Sequence, residues 1–423
     1  MARAAHLSEI EHELEALGAK STHVRRLWRA WLGRADWQAQ GHAHFPKALE
    51  ESLPAVREKL ASLAHFELTE SEQAESGKLL VMLSDGECVE AVLLPRQALC
   101  ISTQVGCAVG CVFCMTGKGG LVRQLSSAEI VAQYAAALRV RPDIKKVVLM
   151  GMGEPSHNLA AVREAVTFLG DTAGLAHKQI VVSSVGDERL FNALPDWPVK
   201  PALALSLHTT DFEKRRRLLP NAPALTPEYL LQRTLSYAAQ TKYPAQIEWT
   251  LMAGVNDSFE EVERLASLLE GGYAMVNFIV VNPTPGSPYT RPEHAHIEDL
   301  ITVLRKKGIV ATLRESAAQD IEGGCGQLRA RRLAEGAEAP VRLVRKAPQS
   351  SSTVPAGAQS TSEKKRDRAA AARKPVQCAG RQRRTENSES FSIHAGRSSP
   401  ATLPRCVPPM TVSKASTPNV RTA

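Results

Sequence analysis

Three cysteines, Cys107, Cys111 and Cys114, stand in a C-x3-C-x2-C spacing. Three thiolates this close can hold three irons of a [4Fe–4S] cube and leave the fourth iron open to a ligand. Structural zinc sites usually close with four ligands, in paired C-x2-C or Cys/His units. No fourth Cys or His follows at such spacing. A zinc site completed by a distant residue, or three unrelated thiols, are the alternative readings, and the tight clustering argues against both.

Other residues could join such a centre. Gly151-Met152-Gly153-Glu154-Pro155 follows an apolar run that ends near Met150. Glycines at a strand end let backbone approach a ligand, and an acidic side chain there can accept a hydrogen bond from an ammonium group. Alone the turn is a weak signal, because glycine-rich turns are common in α/β proteins. Ser183 lies in VVSSVG, and Ser206-Leu207-His208 close a further run. A lone histidine there is more often structural than a ligand. Asn282 opens NPTPGSPY, which composition alone reads as a rigid loop. Cys325 sits in DIEGGCGQL between Gly324 and Gly326, in a loop that exposes its thiol to attack. Cys100 precedes the three-cysteine run. Taken singly, Cys100 and Cys325 read as inert thiols, and Cys88 reads as packing.

The elements that must position these residues are legible in outline. Residues 5–60 read as helical. Leu7, Ile10, Leu14 and Leu17 share one face before Gly18 breaks the pattern, and Leu27, Trp28, Trp31 and Leu32 make a second stripe. Residues 78–94 read as two strands around Asp85-Gly86, a strong hairpin signal. Six buried strand candidates follow: Val147–Met150, Ile180–Ser183, Ala202–Ser206, Ile247–Leu251, Val276–Val281 and Val310–Leu313. Helical patterns such as Ser127–Arg139 and Phe259–Leu269 separate them. Alternating β and α at this spacing gives a parallel sheet, so the fold class is α/β. From about Pro348 the sequence turns to Ser, Thr, Pro, Ala and Arg, and it is expected to be disordered.

Composition bounds the partners. The net charge of +8 suggests nucleic acid, yet residues 347–423 hold 13 Lys+Arg against 4 Asp+Glu, so the rest of the chain is nearly neutral. RNA contact by the folded part must rest on local clusters: Lys214–Arg217, Arg329 with Arg331 and Arg332, or Arg342 with Arg345 and Lys346. Each such cluster is more often a solvated face. No run of about eighteen apolar residues suggests a membrane span. The N-terminus lacks the apolar stretch of a secretory signal, so a cytoplasmic protein is expected. Eight cysteines there suit metal or catalysis, not a disulfide framework.

The segment GCAVGCVFCMTGKGGLVRQLSSAEI resembles the RlmN/Cfr family of radical S-adenosylmethionine (SAM) RNA methyltransferases. GMGEP, SLH, the NPTPG-x-x-Y loop, DIEGGCGQL and Cys100 resemble further family segments, over roughly residues 15–335. The resemblance implies a partial (β/α)6 radical-SAM barrel at 96–346. It adds a small N-terminal helical domain at 1–62 that docks RNA; beside these the residues themselves give a β-hairpin extension at 63–95 and a disordered basic tail at 347–423. It implies a [4Fe–4S] cluster on Cys107, Cys111 and Cys114. SAM is implied on Gly153, Glu154, Ser183, Ser206, Leu207, His208 and Asn282. Cys325, Cys100 and Glu90 become catalytic. Cys325 accepts a methyl group from one SAM. A radical derived from a second SAM takes hydrogen from that methyl, and the carbon joins an adenine. Cys100 then frees the product by forming a disulfide with Cys325, while Glu90 moves a proton. RlmN-type members methylate adenine C2 in ribosomal and transfer RNA, and Cfr-type members C8; C2 is the expected position. The implied partners are ribosomal RNA, transfer RNA or both, with an electron donor such as flavodoxin or ferredoxin, and the protein is expected to be a monomer. Two other readings stand beside this one: a different radical SAM modification of RNA, and an RNA-binding protein with a structural cluster.

The spacing makes a direct prediction. Replacing Cys107, Cys111 and Cys114 together by Ala should abolish iron binding and the brown colour of the anaerobically reconstituted protein. A full iron complement in the triple variant would refute the cluster assignment.

Overall fold

A computed structural model describes residues 4–38, 44–63, 65–73 and 75–329, together with the strand Val341–Arg342. The tail expected over 347–423 and the basic residues Arg331, Arg332, Arg345 and Lys346 lie outside the described residues.

The N-terminal segment forms three helices, α1 (Leu7–Ala16), α2 (Ser21–Trp31) and α3 (Lys47–Ser62). Leu7, Ile10 and Leu14 bury one face of α1, and Gly18, at φ +84°, ends the turn as its position suggested. Trp28 of α2 meets Phe168 edge-on at 5.4 Å, and its Nε1 donates to Glu11 at 2.8 Å. The helices share one apolar core with the rest of the fold, reaching from Leu7 through Trp28 to the strands.

Next come β1 (His65–Glu70), β2 (Gly77–Met82) and β3 (Cys88–Leu94), which pair antiparallel. The Asp85-Gly86 turn joins the last two as expected. Leu83 N–H donates to Glu87 O across it, and Gly86 takes φ +90°. β4 (Ala98–Cys100) returns antiparallel to β3 and then pairs parallel with β7 (Lys146–Leu149). Between them lie the small ribbon of β5 (Gln104–Gly106) and β6 (Leu121–Gln124), the single turn α4 (Met115–Lys118) and helix α5 (Ser127–Val140). Ser126 and Glu129 cap α5 reciprocally, and the Glu129 carboxylate also takes a two-pronged contact from Arg123.

The regular βα rhythm follows. Strands β8 (Ile180–Ser184), β9 (Ala202–Ser206), β10 (Ala245–Leu251), β11 (Ala274–Val280) and β12 (Val310–Arg314) continue the parallel sheet. Helices α6 (Leu159–Thr167), α7 (Glu188–Ala193), α8 (Phe212–Leu218), α9 (Pro227–Thr241), α10 (Phe259–Leu268) and α11 (His294–Lys306) lie between the strands. Val341–Arg342, β13, pairs with β1. The spatial order is β12-β11-β10-β9-β8-β7-β4-β3-β2-β1-β13. All six strand candidates are present, and β4 adds a seventh to the parallel run, too short for its periodicity to be read. The hairpin is the antiparallel flank of this same sheet. The architecture is the α/β partial barrel that the sequence suggested, in which chemistry gathers at the C-terminal ends of the strands.

Alternation along the strands leaves an unfilled interior. A cavity of about 1030 Å³ opens inside the barrel. Among the described residues no helix is long and apolar enough to cross a membrane.

The helix-to-barrel packing can be tested through Trp28, which is 1 % exposed. Trp28→Ala should cost about 3–5 kcal/mol of unfolding free energy. Tyr273→Ala, at a residue 57 % exposed, should cost no more than about 0.5 kcal/mol. Denaturant midpoints of the two variants measure the difference.

Candidate active site

The three cysteines occupy the loop between β5 and α4. Gly106 takes φ +76°, and a Cβ there would lie 2.0 Å from Gly120 O. Only glycine lets the loop close against its return strand. Cys107 N–H donates to Gly120 O at 2.9 Å, and Cys114 N–H to Cys111 O at 3.0 Å. Burial pushes the Cys107 thiol up to about 12, with the neighbouring Cys114 and Glu154 adding to the rise. Cys111 is raised too, first by burial and then by Cys114 and Cys107. Thiols that oppose one another's ionisation in this way fit a site where bound iron supplies the missing positive charge. Among the described residues no three His, Cys, Asp or Glu side chains converge as a single-ion site. A cubane needs a different arrangement, with each thiolate on its own iron.

The GMGEP turn closes the wall beside this loop. A Cβ on Gly151 would lie 2.7 Å from Ser102 Oγ, and one on Gly153, which takes φ +100°, 2.6 Å from the Gln104 side chain. The Glu154 carboxylate is 4 % exposed and accepts Ser156 N–H at 2.9 Å and Val185 N–H at 3.0 Å. Both oxygens keep a second lone pair for a ligand. Ser183 faces the cavity with its hydroxyl 3.3 Å from that of Ser206. Ser184 instead accepts Gly186 N–H at 3.0 Å. His208, at φ +64°, accepts Thr250 N–H on Nδ1 at 3.0 Å, and Phe113 stands edge-on to its ring at 5.0 Å. Burial and the nearby Arg215 push its pKa down to about 3, so the ring is neutral and carries its proton on Nε2.

Cys325 and Cys100 face the same cavity. Cys325 is reached by water through it, although protein surrounds the thiol and raises its pKa. Cys100, at the end of β4, is pushed up to about 12 by burial and then by Cys325, so the two thiols lie within each other's field. The disulfide expected between them is not a resident bond, since all six described cysteines are free. Asn282 anchors the Cys325 loop by donating to Cys325 O at 2.9 Å and Ser316 Oγ at 2.8 Å. From the cluster loop, Met115 N–H donates to Gly326 O at 2.7 Å and Thr116 Oγ1 to Leu328 O at 2.7 Å.

The cavity thus brings together Cys100, Cys107, Cys111, Cys114, Gly153, Glu154, Ser183, Ser206, His208, Asn282 and Cys325. Leu207 and Glu90 are not in its lining. Leu207 points into the core, and its N–H donates to Glu248 O at 3.1 Å. Glu90 is 1 % exposed, with Lys78 Nζ at 3.0 Å on one oxygen and Arg329 N–H at 2.7 Å on the other.

Two features escaped the sequence reading. The run Lys214–Arg217 is split by the helix that carries it. Arg215 is 3 % exposed and donates to Val185 O, while Lys214 pairs with Glu261. Only Arg216 and Arg217 face outward. Arg329, a second RNA candidate, is paired with Glu322. The deeper cavity wall also carries polar side chains, Lys146, Gln246, Glu248, Asn277, Thr312 and Arg314. Their signal was present as polar residues at alternate positions of buried strands.

Comparison with known proteins agrees with this geometry. Residues 101–269 match the model of the Radical SAM superfamily. A probable RNA methyltransferase of Leptothrix cholodnii is 51 % identical over 331 residues, covering 78 % of this chain and 95 % of that protein. One of Pseudomonas paraeruginosa is 51 % identical over 342 residues, covering 80 % and 98 %. The crystal structure of a radical SAM methyltransferase from Sphaerobacter thermophilus is 32 % identical, with a TM-score of 0.68 over 78 % of this chain and 98 % of that one. A superfamily match spanning the cysteine loop, half-identical relatives along most of the chain and a superposable methyltransferase fold make this chain a member of the radical SAM RNA methyltransferase family.

Proposed function

We propose that this enzyme methylates a ring carbon of adenine, C2, in ribosomal RNA, transfer RNA or both, through a methyl group carried on Cys325 and released by Cys100. The observation that carries the reading is the meeting of Cys100 and Cys325 in the cavity that also holds the cysteine loop. The resemblance to RlmN-type sequences supports C2. Adenine ring carbons are poor nucleophiles, so direct transfer of a methyl cation from SAM fails there.

When bound, the cluster and SAM supply the methyl group and a 5′-deoxyadenosyl radical. Cys107, Cys111 and Cys114 would hold three irons. Gly153, Glu154, Ser183, Ser206, His208 and Asn282 line the space for SAM, and Glu154 keeps lone pairs free for an amino group. Leu207 supports this wall from the core side. The Ser316 hydroxyl favours the thiolate of Cys325, which must shed its proton before accepting a methyl. After carbon–carbon bond formation, the adduct must give up one electron, which the bound cluster would accept, and the ring carbon its hydrogen as a proton. The Cys100 thiolate then attacks the Cys325 sulfur. A sulfur–sulfur bond forms, the sulfur–carbon bond breaks, and its electron pair takes a proton to complete the methyl group. Glu90 can move a proton only when Lys78 or Arg329 yields its contact. Flavodoxin or ferredoxin would provide the electron, and the reading includes a monomer acting in the cytoplasm.

RNA docking is assigned to the N-terminal helices. Lys20, His23, Arg25, Arg26 and Arg29 line a concave surface, with Arg25 and Arg29 exposed one helical turn apart. The double variant Arg25→Glu/Arg29→Glu should weaken RNA binding and flatten the dependence of log K on log salt by about 2, with iron content unchanged. An unaltered salt slope would remove this surface from the interface.

Cys325→Ala should neither acquire a methyl nor modify RNA, while keeping its iron. Cys100→Ala should be methylated on Cys325 and then stall, co-purifying with covalently attached RNA. Peptide mass spectrometry and gel shift read both results. Normal turnover by Cys100→Ala would end the two-cysteine reading. Mass mapping of nucleosides from a deletion strain identifies the base and separates C2 from C8.

A further inference from the structure

Deep in the cavity stands a carboxylate that the two-cysteine chemistry does not use. Glu248, on β10, is 3 % exposed and lines the cavity. Its Oε1 accepts Asn277 Nδ2 at 2.8 Å, with Arg314 Nη1 at 3.5 Å. Thr312 Oγ1 donates to Asn277 Oδ1 at 3.1 Å, which fixes the amide so that its nitrogen faces Glu248. The other oxygen, Oε2, is buried and has no hydrogen-bond partner. An unpaired buried acceptor is costly. Glu248 lines the cavity, and the chain of Thr312 and Asn277 holds its carboxylate in place with one oxygen left over for a donor.

The neighbourhood defines the donor. Glu248 and Cys325 line the same cavity. A group held by the Glu248 carboxylate thus shares one chamber with the atom proposed to deliver the methyl. Adenine carries an amino group on C6, within one ring of either C2 or C8. Guanine and uracil present a carbonyl at the corresponding place, which would set lone pair against lone pair. Enzymes that act on a base commonly extrude it and read its edge by hydrogen bonds.

We propose that Glu248, oriented by Asn277, accepts a hydrogen bond from the 6-amino group of the target base and so selects adenine. The proposal rests on the reading of this enzyme as an adenine methyltransferase. Burial raises the pKa of Glu248 against the opposing influence of Arg314, Asn277 and Lys146. A neutral carboxyl with its proton on Oε1 still leaves Oε2 as a carbonyl acceptor for the amino group.

The test uses the full chain, reconstituted anaerobically, as wild type, Glu248→Gln and Glu248→Leu. The substrate is a synthetic RNA stem-loop centred on the mapped nucleotide. That position holds either adenosine or purine riboside, which has hydrogen in place of the amino group. Iron content and thermal unfolding confirm that each variant is intact. Wild type should lose about 100-fold in kcat/KM on the purine riboside RNA. Glu248→Leu should lose about as much on adenosine RNA, and removing the amino group should then cost it nothing more. Glu248→Gln, whose amide oxygen can accept the same bond, should stay within about 10-fold of wild type and keep its preference for adenosine. Wild type indifferent to the amino group overturns the proposal without any variant. Glu248→Leu that still prefers adenosine also overturns it, as does a Leu variant whose SAM affinity falls, since the residue would then serve the cofactor. A mapped base other than adenine overturns the parent reading and this proposal together, whereas the other failures leave adenine methylation standing.

Discussion

The site depends on a parity rule. Along a strand, alternate side chains face the same side, and in a parallel sheet neighbouring strands carry that phase across. Val92 of β3 pairs with Cys100 of β4, which pairs with Val148 of β7. Ser206 of β9 pairs with Glu248 of β10, which pairs with Asn277 of β11. All of these residues face the cavity. A slip of one residue at any pairing would turn its contribution into the helical layer. Registry of the sheet is therefore a condition of the chemistry, and burial on both faces of β10 keeps that registry fixed.

Electrostatics sets the second constraint. Burial raises Cys107 and Cys111, and the glutamate that lines the same wall raises both further. The buried cation beside them is Arg215, whose charge Cys111 and Glu154 favour while burial draws its pKa down to about 10. Its position explains why a run of four basic residues is not one surface patch. A helix turns about 100° per residue, so consecutive side chains point in different directions. One of the four therefore enters the protein while two reach solvent.

Much of this organisation was legible in the sequence, for physical reasons that differ by element. The buried parallel strands stood out as apolar runs, and the Asp85-Gly86 turn declared the hairpin. Cysteine spacing and strand-end glycines marked the chemical wall, since few other roles require those residues there. Ala98–Cys100 was too short to show a period. His65–Glu70 mixes polar and apolar residues and was not recognised as a strand. The inward carboxylate Glu248 left a signal, alternating with Ile247 and Trp249, but a polar residue within an apolar run reads as an exposed position. Only the pairing of β10 with covered strands on both sides shows that it faces an interior.

The loop that carries Cys325 owes its placement to borrowed contacts. Gly326 and Leu328 accept hydrogen bonds from the first residues after Cys114, Asn282 holds Cys325 O, and Arg329 N–H reaches Glu90 on the antiparallel flank. The exposed thiol is thus a passenger on a frame assembled from three distant stretches of chain. A change that shifts the three-cysteine loop displaces Cys325 in the same movement. The two cannot drift apart one substitution at a time, so descendants of this sequence inherit the placement of the cysteine loop and of Cys325 as one indivisible trait.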